Sequence, residues 1–209
     1  MTSSKTEINS NVHTRSRWPL LKLAAAASSA VALLAGCHLF GPDRTVENYF
    51  PLAVGNQWSM SRASQPSDSM TLEVSDKRAI GGMTFYKLTT PGEPDYANWL
   101  THRNGELRIY FTQSDSAPDT ASTSYTRWLK EPFDVGKSWT VQPDDSSETL
   151  RITANDVTLT VPAGTFEHCV QVEVTDMATY SYAPGVGWVE ISEAADTADP
   201  YVLTRYVIK

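Results

Sequence analysis

Pro51-Leu52-Ala53-Val54-Gly55-Asn56-Gln57-Trp58 returns 81 residues later as Pro132-Phe133-Asp134-Val135-Gly136-Lys137-Ser138-Trp139. Pro, Val, Gly and Trp are identical in the two, and a large apolar residue follows each proline. Proline fixes φ and cannot continue a ladder, and glycine opens backbone conformations closed to other residues. The tryptophan brings a large area to bury and an N–H that needs an acceptor. The phrase therefore reads as a turn that feeds a strand, with Val54 and Val135 packed beneath the turn and Trp58 and Trp139 facing a core. A structural role explains it more economically than ligand binding does.

Outward from these phrases the likeness continues. Thr71-Leu72-Glu73-Val74 answers to Thr149-Leu150-Arg151-Ile152, and Gly82 to Leu88 answers, with a one-residue slip, to Gly164 to Val170. The rest of the chain after residue 46 alternates apolar and polar residues in short runs rich in Val, Ile, Thr, Tyr and Trp. Each run is bounded by Gly, Pro, Asn or Asp, the pattern of antiparallel strands. Asn104-Gly105 is a two-residue hairpin signal that needs positive φ at both positions. No stretch beyond Cys37 sustains a helical apolar stripe. The fold class is mainly β, as two tandem β-meander repeats of about five strands each. Repeat one covers about 47–113 and repeat two about 125–209, within a single β-domain over 47–209. Ser61 to Ser69 and Ser114 to Ser124 are small and polar and are expected to be mobile.

Residues 1–36 have a different character. Lys5, Arg15, Arg17 and Lys22 stand against one acid, Glu7, and Leu23 to Gly36 carries no charge. A basic segment ahead of a short apolar one is the layout of a secretory signal, too short for a comfortable bilayer span. It ends in Leu34-Ala35-Gly36-Cys37, which resembles the lipobox of bacterial lipoproteins. That resemblance implies a diacylglyceryl thioether on Cys37, signal-peptidase cleavage between Gly36 and Cys37, and acylation of the new amine. Two or three chains then hold the protein to a membrane, where one alone binds only reversibly. His38 stands where an Asp would imply inner-membrane retention, so a Gram-negative source implies the outer membrane, facing the periplasm or the surface. Residues 37–46 read as a tether, broken by Gly41-Pro42-Asp43.

Without residues 1–36 the chain has 173 residues, with 13 Lys plus Arg against 23 Asp plus Glu. An acidic surface without a basic patch argues against nucleic acid as a partner. Cys169 has no cysteine partner once Cys37 is lipidated, which excludes a disulfide scaffold, and it reads as a packed apolar residue. His38 lies in the tether and His102 before a hairpin turn. His168 neighbours Cys169 on a strand, so the two side chains should point to opposite faces. No nucleophile elbow, zinc-protease helix, phosphate loop or paired-cysteine motif occurs. Asp144, Asp145 and Glu148, and Asp196 with Asp199, lack the alternating order of a calcium loop. No catalytic set, metal or cofactor is expected.

Three phrases of the exported part resemble a broad group of largely uncharacterised β-rich bacterial envelope proteins. They are Pro51 to Trp58, Val161 to Phe166 with Cys169 to Val172, and Pro184 to Val189. Each is a turn signature. The resemblance implies a curved antiparallel sheet or half-open barrel, reminiscent of lipoprotein-carrier folds. Three functions follow as expectations: a non-enzymatic module that binds an envelope protein or polymer, a periplasmic carrier of an apolar or acyl ligand, and a hydrolase with an unrecognised site. A carrier needs an apolar cavity of roughly several hundred Å³; a structural module needs its aromatics packed solid.

Overall fold

The computed structural model describes residues 42–112, 118, 125–142 and 147–209, without the side chains of 93–97 and 112. Gly36, Cys37 and His38, and all but one residue of the stretch Ser114 to Ser124, lie outside the described residues. A short helix, α1 (Val46–Tyr49), precedes twelve strands. They are β1 (Gln57–Arg62), β2 (Ser69–Ile80), β3 (Met83–Thr90), β4 (Glu93–His102), β5 (Glu106–Thr112) and β6 (Thr126–Lys130), then β7 (Ser138–Val141), β8 (Glu148–Val161), β9 (Gly164–Val174), β10 (Ala178–Ala183), β11 (Gly187–Glu193) and β12 (Tyr201–Val207). Their order in the sheet is β6-β5-β4-β3-β2-β1-β12-β11-β10-β9-β8-β7. Two six-stranded meanders thus join where β1 pairs antiparallel with β12, and β6 and β7 are left as the edges.

The duplication holds bond for bond at its start. Gly55 N donates to Val74 O at 2.8 Å, and Gly136 N to Ile152 O at 2.8 Å. Val74 N donates to Asn56 O and Ile152 N to Lys137 O, each at 2.9 Å. Trp58 stands opposite Leu72 and Trp139 opposite Leu150. Gly55 and Gly136 have φ of 93° and 89°, the left-handed region that the phrase needs glycine for. The Asn104-Gly105 turn also has positive φ at both positions, 55° and 68°.

Four details differ from the sequence reading. Val54 is 43 % and Val135 59 % exposed, not packed beneath the turn. Backbone bonds close each turn, Asn56 N to Ala53 O and Lys137 N to Asp134 O, and a residue at the corner of so tight a turn projects outward. Second, Val74 faces Leu88 while Ile152 faces Val172, so Leu88 corresponds to Val172 and not to Val170. The β8–β9 hairpin is longer than β2–β3 and absorbs extra residues as register shifts between Ala154 and Leu159. Third, each half has six strands rather than about five, and β6 pairs with β5, closing the first meander rather than opening the second. Fourth, Ser61 to Ser69, expected to be mobile, is tied to the rest of the barrel by side-chain bonds. Arg62 binds Asp68, Glu193 and the Asp199 carbonyl, and Asp199 in turn accepts from Ser64.

The sheet curls, as contacts between strands far apart in its order show. Trp128 of edge strand β6 stacks on Tyr180 of β10 with ring centroids 5.9 Å apart, and meets Trp188 of β11 edge-on at 5.2 Å. Trp139 of the opposite edge, β7, donates its indole N–H to the Arg127 carbonyl of β6 at 2.8 Å. The result is a half-open antiparallel barrel built from two symmetric meanders. Its inward residues, among them Trp58, Met60, Leu100, Ile109, Ile152, Val172 and Leu203, form one continuous core. Alternation of side chains puts a second, smaller cluster of Phe85, Trp99 and Tyr110 on the other face of β3, β4 and β5.

Candidate functional site

The candidate site is the mouth of the barrel that α1 occupies, together with the seam between β6 and β7. Thr45 caps α1 by accepting from Asn48 N, and the Val46 N–H at the helix start donates to the Glu131 carboxylate at 2.6 Å. Asn48 O accepts from Gly185 N in the β10–β11 turn, and the Tyr49 hydroxyl donates to the His168 carbonyl on β9. Four residues of helix therefore tie β9, the β6–β7 link and the β10–β11 turn together. The tether expected over residues 37–46 gives way here to a helix, for which Thr45 ahead of Val46-Glu47 is an N-terminal signal. At four residues it is too short to show a period.

Behind α1 the interior is aromatic. Phe50 stacks on Trp58 at 5.1 Å and meets Trp188 edge-on at 4.6 Å, and Trp188 continues to Trp128 and Tyr180. The Trp58 indole donates to the Val186 carbonyl at 2.7 Å. Gly187 permits that approach, because a Cβ there would lie 2.9 Å from Trp58 Nε1. Trp58, Trp188, Phe50 and Tyr182 are all essentially inaccessible. Burial pushes the Tyr182 and Tyr180 phenols above their ordinary range. Trp128 and Tyr180 remain half-buried, so the ring series runs from the sealed core toward the seam.

The histidines and the cysteine do not converge. His102 is pushed below its ordinary range by burial, against a smaller opposing pull from Glu47 and the Phe50 backbone, and its Nε2 is buried without a partner among the described residues. His168 is on the outside, held at φ 58°, with Nδ1 2.6 Å from Asp156 Oδ1. Cys169 points the other way into the core, its thiol against the Phe166 carbonyl, and burial pushes it up to about 11. The opposite-face expectation therefore holds for this pair, and so does the reading of Cys169 as a packed residue. Among the described residues no three His, Cys, Asp or Glu side chains are grouped to hold a metal ion.

Two polar features flank this mouth. A cleft of about 440 Å³ is lined by Arg44, Asn104, Glu131, Phe133, Asp134 and Asn155, with Arg44 donating to the Asn155 carbonyl. Nearby, Glu106 is 7 % exposed and met by Arg108 at 2.6 Å, Arg127 at 3.2 Å and Lys130 at 3.3 Å. Burial alone would raise its carboxyl, but these cations outweigh burial and hold it below the ordinary range.

The fold and site define a mainly β, half-open barrel in which the described residues show no catalytic constellation. No family model and no curated protein matches the chain. Two solved structures are similar. One is a protein assigned as a lipoprotein from Parabacteroides distasonis, 15 % identical, with a TM-score of 0.38 over 79 % of this chain and 100 % of that one. The other is a protein assigned as exported, with a YmcC-like fold, from Bacteroides fragilis, 14 % identical, with a TM-score of 0.41 over 76 % of this chain and 98 % of that one.

Proposed function

We propose that this chain is a non-enzymatic envelope lipoprotein, held to a membrane through lipid on Cys37, whose half-open barrel carries an apolar or acyl ligand. The observation behind the ligand is the seam. Edge strands β6 and β7 meet through the indole of Trp139, and half-buried Trp128 and Tyr180 line the interior behind it. A side-chain latch opens at less cost than a strand ladder, because one hydrogen bond is worth about 0.5–1.5 kcal/mol net. In the closed state described here α1 and its neighbours fill the bore, so loading requires the ligand to displace Phe50 or part the seam. That solid packing favours a second reading, a module that binds an envelope protein or polymer through its surface. Titration of the chain with cis-parinaric acid separates the two. Saturable enhancement of its fluorescence at one site per chain, with apolar ligand retained in native mass spectrometry, supports the carrier; no binding leaves the surface module. Attachment has its own test. Cys37→Ser should abolish incorporation of radioactive palmitate and release the chain from membranes, and a parent chain that takes no label would refute the anchor.

A further inference from the structure

Turns of an antiparallel meander alternate between two ends, so every loop of this barrel has an address. One end carries Asp68, Glu148, Asp176, Glu193, Asp196 and Asp199 on its turns and strand termini, and among the described residues there Arg62 is the cation, itself bound between Asp68 and Glu193. The other end carries α1, both copies of the repeated phrase and Lys209. Strands β1 and β7 are six apart in a meander and run in the same direction, so Val54 and Val135 emerge on one rim, 43 % and 59 % exposed. Exposed Arg103, Lys137 and Lys209 stand at this end, opposite in charge to exposed Asp43, Glu47 and Asp134. One end is thus strongly acidic, while the other is charge-balanced and bears two apolar side chains that the duplication repeats.

The chain enters the barrel at this second end, at Pro42. Four residues lie between Cys37 and Pro42, five steps along the chain, and an extended chain spans at most about 3.3–3.6 Å per residue, or less than about 20 Å. A lipid on Cys37 therefore brings this end close to the bilayer, while anionic headgroups repel the acidic end across a Debye length of about 8 Å. We propose that the end of the barrel carrying α1, Val54 and Val135 is a membrane-docking face whose occupant is the phospholipid headgroup layer. This inference rests on the attachment at Cys37 proposed above. The two valines enter the interface and the cations of the rim meet phosphate, so the seam and its ligand site are held at a fixed height above the membrane.

The lipidated full-length chain tests it in vesicles of phosphatidylethanolamine and phosphatidylglycerol. A bimane probe is placed at Val54→Cys, Val135→Cys or, at the acidic end, Ala198→Cys; Cys169 is buried and does not compete for label. Doxyl-labelled lipids should quench most of the emission at 54 and 135 and leave 198 bright, and aqueous iodide should do the reverse. The difference should shrink at about 1 M salt, where the Debye length falls to about 3 Å. A chain that takes palmitate and floats with vesicles, yet shows equal quenching at both ends, overturns the docking face while the anchor stands. Probes at 54 and 135 shielded from both quenchers would show a protein covering the rim, which also overturns it. A chain that neither takes palmitate nor floats removes the anchor, and this inference with it.

Discussion

In the first meander the tryptophan of the repeated phrase lies in the middle of the sheet; in the second it lies on the edge. β1 has β12 on one side and β2 on the other, so Trp58 is enclosed by two ladders, by Phe50 above and by Trp188 beside it. Among the described residues β7 pairs only with β8, and the Trp139 indole spans the gap to β6 where a further ladder would otherwise run. The same eight residues therefore build a keystone in one copy and a latch in the other. Position in the sheet, not the local sequence, decides which.

The two halves also differ in charge. Residues 47–130 hold eight Lys or Arg against nine Asp or Glu, while 131–209 hold four against thirteen. Three of the first half's cations gather round Glu106, and its strands carry the outer cluster of Phe85, Trp99 and Tyr110. The second half instead extends the β8–β9 hairpin until its tip reaches β12, with Ala163 N donating to Leu203 O at 3.0 Å.

The sharpest way to break the keystone–latch contrast is to remove both rings. Trp58→Ala should cost about 3–5 kcal/mol, the range for deleting a large aromatic from a filled core. Trp139→Ala, at 8 % exposure on a free edge, should cost clearly less. Urea denaturation monitored by circular dichroism measures both, and equal losses would erase the distinction.

Next in size is the charge cluster. Glu106→Gln leaves three cations without their counter-charge. Removing one partner of a buried pair costs about 3–5 kcal/mol, but Arg127 and Lys130 are each about a third exposed, so roughly 1–3 kcal/mol is expected after screening. The pH sign follows from the depressed carboxyl: its contribution is present above the ordinary value of 4.5 and lost as pH falls through the lower folded value. The variant should lack that part of the acid limb, and an unchanged acid profile would show that Glu106 does not supply it.

The turn chemistry and the two phrases were legible in the sequence because Gly, Pro and Asn-Gly act locally: Gly55, Gly136 and Asn104-Gly105 behave as their types require. The number of strands per half was less legible. β10 (Ala178–Ala183) begins with Ala-Thr and ends at Pro184, so it shows no clean alternation, and its burial comes from Tyr182 and Ser181 packing against neighbours. The candidate site was the least legible part. Trp128, Tyr180 and Trp188 converge only because the sheet curls, and no spacing along the chain encodes that curl.

A smaller effect sharpens the latch itself. Trp139→Phe keeps a ring in place and removes only the N–H that binds Arg127 O, a loss of about 0.5–1.5 kcal/mol. Hydrogen exchange should then quicken at amides of β6 and β7 and stay unchanged in β1 and β12. A cis-parinaric acid titration should show tighter binding if the seam is the entry. Unchanged exchange at the edges would mean that the barrel is closed by something other than this bond.

The smallest expected effect discriminates most finely between the copies. Val54→Ser and Val135→Ser should each change stability by no more than about 0.5 kcal/mol, as for exposed positions without special contacts, measured as the urea midpoint. A loss nearer to 1.5–3 kcal/mol, the value of burying such a side chain, would mean that the valine packs beneath its turn after all. The pair carries more weight than either variant. If both are silent in solution, a valine kept at the same corner of both copies contributes nothing to folding that serine cannot replace. A contact outside the chain, such as the headgroup layer proposed above for that rim, would then account for its repetition.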